Sequence, residues 1–513
     1  MPDRDARIPP TQPPMQVLIT AAEAYPAFEQ RVLDARSEIV MGFRIFDPRT
    51  LLRSDAAKRI GETWADLLAD ALARGVSVTL YLSDFDPLVA TDLHRGTWRS
   101  VRILAGVREL AGPGAAPLIL RPMLHPARIG LVQRLLFAPA MALRLRRLRR
   151  VPGHQPNAQT LRNPLPGLDA LRRHRGLMPA FPASHHQKLA VIDGRHLYIG
   201  GLDLDERRFD TPDHDRATQQ TWHDVQLLLD APELAQSALR HLHSFGDAVT
   251  GRVPPAAAPG LVRTLSADRG QRNLWHGSPK TVLNQIAQAH QAEIARASDL
   301  IYLETQFFRD RRIARQLALR ARDTPDLHLI LVLPGAPDSV AFRKKPGLDG
   351  RFGDHLQNQC LRLVRRAFGH RLMVASPVQS RVPDQRDITT DRASLHGAPL
   401  VYLHAKVSVF DGRAAIVSSA NLNGRSMRWD TEAGLHLDQP DTVLPLRDRV
   451  MGHWVDALPS ALPPDRLFDL WQRTIWQNAD QPPEQRHGFL VPYDMRAPRA
   501  TALPLPNVPE EMV

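Results

Sequence analysis

The sequence predicts an α/β protein of two similar lobes, each a mixed, mostly parallel sheet flanked by helices, with a pseudo-twofold between them and the functional site at their junction. Three observations predict it. Apolar strand-like runs alternate with helical periodicity along much of the chain. One stretch repeats itself at a constant offset of 218 residues. And 513 residues are too many for one ordinary hydrophobic core.

Taken in order, the Pro-rich start up to Pro14 reads as loose, and residues 1–35 as a tail leading into the first lobe. Glu38-Ile-Val-Met-Gly-Phe-Arg-Ile-Phe46 reads as a strand stopped by the Asp47-Pro48 turn. Residues 55–74 read as one helix with Trp64, Leu67, Leu68 and Leu72 on a single face, ended by Gly75, and Val76 to Leu82 as a buried strand. Residues 128–150 interleave seven arginines with apolar residues and no acid, the composition of a basic amphipathic segment on an anionic membrane surface. Residues 151–182 read as a loop or lid.

A Pro/Ala stretch, Val253 to Pro259, separates the halves. The second half reads helix (about 279–297), strand (Leu300 to Phe308), helix (about 310–322) and strand (Leu327 to Leu333), with Gly347 to His355 as a glycine loop after Arg343-Lys344-Lys345. The expected division is therefore a first lobe over 36–250, a second over 251–455, and an irregular Pro-rich tail over 456–513.

Sixty-six Lys and Arg against 54 Asp and Glu give a formal charge of +12, which favours anionic partners without choosing among nucleic acid, anionic lipid and phosphorylated small molecules. The single cysteine, Cys360, excludes an intramolecular disulfide framework and fits burial as a small hydrophobe. No secretory leader and no spanning segment are apparent, so the expected location is cytoplasmic and peripheral on the inner face of a membrane.

The repeat carries the chemistry. His186-Gln-Lys188-Leu-Ala-Val-Ile-Asp193-Gly194 is matched by His404-Ala-Lys406-Val-Ser-Val-Phe-Asp411-Gly412, and Arg207 coincides with Arg425. Each copy is a β-hairpin in sequence form, with an Asp-Gly turn between two apolar runs. His and Lys two apart share one strand face. An imidazole beside an ammonium suits phosphate: Lys neutralises the non-bridging oxygens while His attacks phosphorus or protonates the leaving oxygen. Asp193 and Asp411 fall at the turns on the opposite parity, so geometry gives them a supporting part.

This doubled His-x-Lys-x4-Asp pattern resembles the phospholipase D superfamily over roughly residues 36–455. Ile301-Tyr-Leu-Glu304-Thr-Gln306-Phe-Phe308 is similar to a signature of that family, with Thr305 for Asn. Ser418-Ser419-Ala-Asn421-Leu-Asn-Gly-Arg425-Ser426 is similar to another, with Ser418 for Gly. Trp222-His223-Asp224-Val225 and Asp430-Thr-Glu432 resemble the segments trailing each motif. The resemblance implies a metal-independent, two-step reaction through phosphohistidine, as in phospholipases D and cardiolipin synthases. It implies His186 as nucleophile and His404 as acid and base, with Lys188 and Lys406 on the phosphate and the motif residues Asp193 and Asp411 among the catalytic set. Asn421, Asp203, Ser419, Glu304 and Gln306 are implied around the substrate, and Asp224 and Glu432 as carboxylates that orient the imidazoles.

The expected substrate is a phospholipid on an anionic membrane surface, cleaved or transferred to an alcohol, with no cofactor and no obligate protein partner. A nuclease or other nucleic-acid phosphodiesterase of the same superfamily is the alternative. Metal ligation has little support: His185, His186, His241 and His243 lack a His-Glu-x-x-His, Cys-x-x-Cys or acidic companion.

Overall fold

The computed structural model describes all residues except 1–14, 151–176, 271–272, 343–346, 389, 391, 456–461 and 507. The proline-rich start, most of the expected 151–182 lid and the Arg343-Lys344-Lys345 run therefore lie outside the described residues.

The first sheet contains β1 (Met15–Ile19), β2 (Glu38–Phe43), β3 (Ser77–Asp84), β4 (Leu118–Leu124), β5 (Leu189–Ile192), β6 (His196–Gly200) and β7 (Val225–Asp230), in the order β1-β7-β6-β5-β2-β3-β4. The second contains β8 (Leu261–Ala267), β9 (Lys280–Asn284), β10 (Leu300–Thr305), β11 (His328–Val332) and β12 (Leu372–Pro377). A two-stranded ribbon, β13 (Ser394–Leu395) and β14 (Ala398–Pro399), intervenes before β15 (Lys406–Phe410), β16 (Ala414–Ser418), β17 (Glu432–Leu437) and β18 (Leu490–Pro492). The second order is β18-β12-β11-β10-β15-β16-β17-β8-β9. Without β9 and β18, the two sheets have one topology, strand for strand.

This is the expected α/β architecture of two mixed sheets flanked by helices, but the sheets are not mostly parallel. Only β2-β3-β4 and β10-β11-β12 pair in parallel, because only there does a helical crossover return the chain in the same direction. The hairpins β5-β6 and β15-β16 and their neighbours are antiparallel.

The motif hairpins alternate between two cores. Leu189, Val191, Val407, Val409 and Val417 point into a cluster shared by both sheets, whereas Ala190 and Ile192 face the outer helices of the first sheet. Phe410, Ala414 and Ile416 do the same on the second sheet. Buried on both faces, these strands are mostly apolar, and each buried Val or Leu contributes about 1.5–3 kcal/mol. Helices Pro232–Ala248 and Pro440–Trp454 follow β7 and β17 and add Leu242, Phe245, Val450 and Trp454 to the shared cluster.

Several expected boundaries move. Met15–Ile19 and helix Thr20–Asp34 belong to the first sheet and its core rather than to a tail, since β1 pairs with β7 and Phe28 is fully buried. The expected 55–74 helix breaks into Asp55–Lys58 and Trp64–Ala73, because Thr63 and Asp66 form a capping box that starts a new helix. Residues 280–284 form β9, and the helix begins at Gln285. The glycine loop at 347–355 is helical: Gly347 caps helix Leu348–Phe368, and Gly353 faces Arg309, where a Cβ would come 2.4 Å from the guanidinium carbon.

The C-terminal region is no irregular tail. Helix Pro464–Asp480 buries Phe468, Trp471 and Ile475, and β18 extends the second sheet through β12. Its prolines mark element starts, which is where they are tolerated. Residues 131–150 do form a helix, with Leu135, Leu136, Phe137 and Leu143 exposed while Met141 and Leu145 dock near Leu88. No helix among the described residues is long and apolar enough to cross a membrane.

Candidate functional site

Each hairpin turn has the geometry its sequence requires. Asp193 and Gly194 have φ of 52° and 61°, and Asp411 and Gly412 have 52° and 63°, the left-handed pair of a type I′ turn. Asp193 accepts from the amides of Arg36, Ser37 and Glu38, and Asp411 from those of Ser298, Asp299 and Leu300. Burial opposes ionisation of Asp193, but the donors of Ser37, Arg36 and Glu38 prevail and hold it below the usual carboxylate range. The motif aspartates thus fasten the hairpin tip to the segment entering β2 or β10, at the end of the strand away from the imidazoles.

The histidines sit at the other end, where the halves cross. His186 N donates to Thr431 O and Thr431 N to Ser184 O, at 2.8 and 2.9 Å. His404 N donates to His223 O and His223 N to Tyr402 O, both at 2.8 Å. Each motif is therefore stitched to the strand that follows the other motif. The side chains follow suit: His186 Nδ1 lies 3.0 Å from Glu432 Oε2, and His404 Nδ1 lies 2.6 Å from Asp224 Oδ2. A carboxylate on Nδ1 leaves Nε2 as the open nitrogen of both rings. Ser419 contributes to the first pair through its carbonyl, 3.1 Å from His186 Nδ1, and its hydroxyl, 2.5 Å from Glu432 Oε2.

Both lysines are buried beside their own histidines. Lys188 Nζ lies 2.5 Å from His186 O and 3.4 Å from His186 Nδ1; Lys406 Nζ lies 2.9 Å from His404 Nδ1 and bonds His404 O. Asp203 stands 3.8 Å from Lys188, so this carboxylate is paired, and its other oxygen takes the amide of Ile45. Asn421 is buried with Oδ1 lacking a hydrogen-bond partner among the described residues. Glu304 and Gln306 make no hydrogen bond to the His186 or His404 imidazole. Glu304 accepts from Tyr302 and Trp454, and Gln306 donates to the Tyr402 hydroxyl.

Burial dominates the electrostatics. It drives both imidazoles toward the neutral form, aided on His186 by Lys188, Arg44, Lys406 and Arg425 and on His404 by Lys406, Lys188 and Arg208. It lowers Lys406 to about 7, and pushes Asp224 to about 6 and Glu432 to about 8. A phosphate would relieve the like-charge repulsion among these cations.

Arg44, Arg208 and the ring of Trp222, whose centroid is 4.6 Å from that of His404, escape a reading of the motifs alone. Arg208 packs on Trp222 at 3.7 Å and acts on His404 as Arg425 acts on His186. The repeat aligned Arg207 with Arg425, one position out of step. The approach of Arg44 to the site is a tertiary fact with no local signal.

Residues 291–454 match the family model described as cardiolipin synthase, PLD-like domain. The chain is 23% identical over 391 residues to phospholipase D alpha 3 of Arabidopsis thaliana, covering 53% of this chain and 47% of that protein. It is 22% identical over 443 residues to phospholipase D gamma 1 of the same plant, covering 62% and 50%. The chain thus spans about half the length of these relatives. Its fold is similar to that of a phosphatidylserine synthase from Haemophilus influenzae Rd KW20, with a TM-score of 0.51 at 12% identity over 90% of this chain and 95% of that one. A family model matched over residues 291–454, distant relatives aligned across both halves and a fold shared nearly end to end all make this chain similar to the phospholipase D superfamily.

Proposed function

We propose that the protein is a phospholipase D-type phosphodiesterase or phosphatidyltransferase that acts on phospholipids through His186 and His404. The observation that carries this reading is the crossed arrangement: two His–Lys pairs in one buried site, each imidazole held at Nδ1 by a carboxylate from the other half.

In the first step His186 Nε2 attacks phosphorus. The P–O bond to the headgroup alcohol breaks as His404 hands its proton to the departing oxygen, leaving a phosphatidyl group on His186. In the second step His404 takes a proton from water or an acceptor alcohol, whose oxygen attacks phosphorus and breaks the P–N bond. Lys188, Lys406 and Asn421 surround the non-bridging oxygens. Their charges matter more here than in water, because the site is buried and the donors are already in place. The substrate's negative charge also raises the affinity of His404 for the proton that it must donate. The same chemistry serves hydrolysis and transfer; the acceptor decides. The exposed Leu135, Leu136, Phe137 and Leu143 on a helix rich in arginine favour an anionic bilayer as the surface on which substrate is met.

The test is incubation with mixed phospholipid vesicles without added metal, with and without glycerol or ethanol, followed by lipid mass spectrometry. Phosphatidic acid without alcohol and a new phosphatidyl ester with it are expected, and His186→Asn and His404→Asn should each abolish both. No lipid product together with cleavage of single-stranded DNA would replace this reading with the nuclease one.

A further inference from the structure

A second polar cluster stands beside the phosphate site and takes no part in the proposed reaction. It gathers His214 from the loop ahead of β7, His223 at the start of that strand segment, Glu304 from β10 and His453 from the end of helix Pro440–Trp454. His214, His223 and His453 each present a ligand atom, all within 4.8 Å of one another, and His214, His223 and Glu304 are buried.

The three rings are packed against one another, His223 stacked on His453 with centroids 4.7 Å apart. His214 Nδ1 lies 2.7 Å from Asp210 Oδ2, which keeps the proton on Nδ1 and leaves a lone pair on Nε2. That Nε2 stands 3.0 Å from Nε2 of His453, so two ring nitrogens face each other. His223 Nε2 stands 2.9 Å from Glu304 Oε1, yet neither atom is aligned for a hydrogen bond, and both, with His223 Nδ1, are buried without a hydrogen-bond partner. Glu304 Oε2 accepts from Tyr302 at 2.7 Å and Trp454 at 3.2 Å, which fixes this carboxylate beside His223. His214 also holds a left-handed backbone, φ 53°, which costs energy in a residue other than glycine.

We propose that His214, His223 and His453 bind one divalent transition-metal ion of the zinc class. Ligands about 2.0–2.1 Å from a tetrahedral zinc ion stand about 3.3 Å apart, close to the 3.0 Å between His214 Nε2 and His453 Nε2. Three imidazoles suit zinc, whereas calcium and magnesium take oxygen sets. Asp210 supplies the outer carboxylate that orients a ligating histidine.

The ion ties both sheets together one residue from Asp224, through the same His223 backbone that pairs with Tyr402 and His404. Its role is positional: it steadies the strand that presents Asp224, and the chemistry at His186 and His404 proceeds without it as a reactant. The site therefore stands or falls independently of the proposed substrate.

The test uses the full chain purified without a polyhistidine tag from zinc-supplemented medium. Plasma mass spectrometry is expected to find about one zinc per chain, falling more than tenfold in His214→Gln and His453→Gln. Removing zinc with dipicolinate should lower Tm, and ZnCl2 should restore it. X-ray absorption at the zinc edge of the wild-type protein, which needs no folded variant, should show imidazole scattering. Folded wild-type protein that neither retains zinc nor takes it up on titration with ZnCl2 overturns the proposal, as does a zinc shell without imidazole or zinc retained by both variants.

Discussion

Replacing Asp224 by Asn keeps the shape of the side chain and removes its charge. The carboxylate is fully buried, meets His404 Nδ1 at 2.6 Å and feels the ammonium of Lys406. A hydrogen bond to a charged group contributes about 1.5–3 kcal/mol, and here it gains most of that strength when His404 carries its proton. Loss of that amount from the transition state lowers kcat about 10- to 100-fold with KM little changed. The assay compares a natural phospholipid with a phosphatidyl ester of p-nitrophenol, whose leaving group needs no proton. The natural substrate should show the full loss. The activated ester should give a stoichiometric burst at near wild-type rate and then slow turnover, because the second step still needs His404 as base. Wild-type steady-state turnover of the natural lipid, or loss of the burst with the activated ester, would refute the roles given to His404 and Asp224.

Gly201→Ala should lower kcat at least tenfold without touching substrate, since a Cβ there would lie 2.1 Å from Asp224 Oδ1 and must displace it; kinetics alongside a thermal melt separate this from unfolding. Asp193→Ala and Asp411→Ala each strand three backbone donors and should cost about 1–3 kcal/mol of stability, read as a lower Tm, while the folded fraction keeps its turnover. Because the Asp193 pKa is depressed in the fold, its contribution is present above the unfolded carboxyl pKa and fades as pH falls through the folded value, so the wild-type–D193A gap in urea midpoint should narrow in acid. The pH profile of kcat/KM should be a bell, falling below about 6 as Asp224 is protonated and above about 7 as Lys406 loses its charge. A flat profile from pH 5 to 9 contradicts that picture.

The repeat made the hairpins legible, because an Asp-Gly turn between two apolar runs allows one backbone solution with few competitors. His186 with Lys188 and His404 with Lys406 followed from strand periodicity. Helix and strand edges were less visible: the Thr63–Asp66 capping box and the β9 strand reside in short local choices that a helical average blurs. The C-terminal segment misled because its prolines resemble those of a tail, whereas its burial comes from Phe468, Trp471 and β18 finding partners far back in the chain.

By itself, then, the sequence singled out the two His–Lys sets to which the proposed chemistry is assigned, since residue type and period are local properties. Only the tertiary structure decided that Glu432 holds His186 and Asp224 holds His404, each from the opposite half, and that Asp203 is neutralised by Lys188. It alone gathered His214, His223, Glu304 and His453 from four distant stretches. The physical reason is the same in each case. Burial makes a charge or lone pair depend on whatever the packed chain brings within hydrogen-bond reach, and no spacing along the sequence encodes that neighbour.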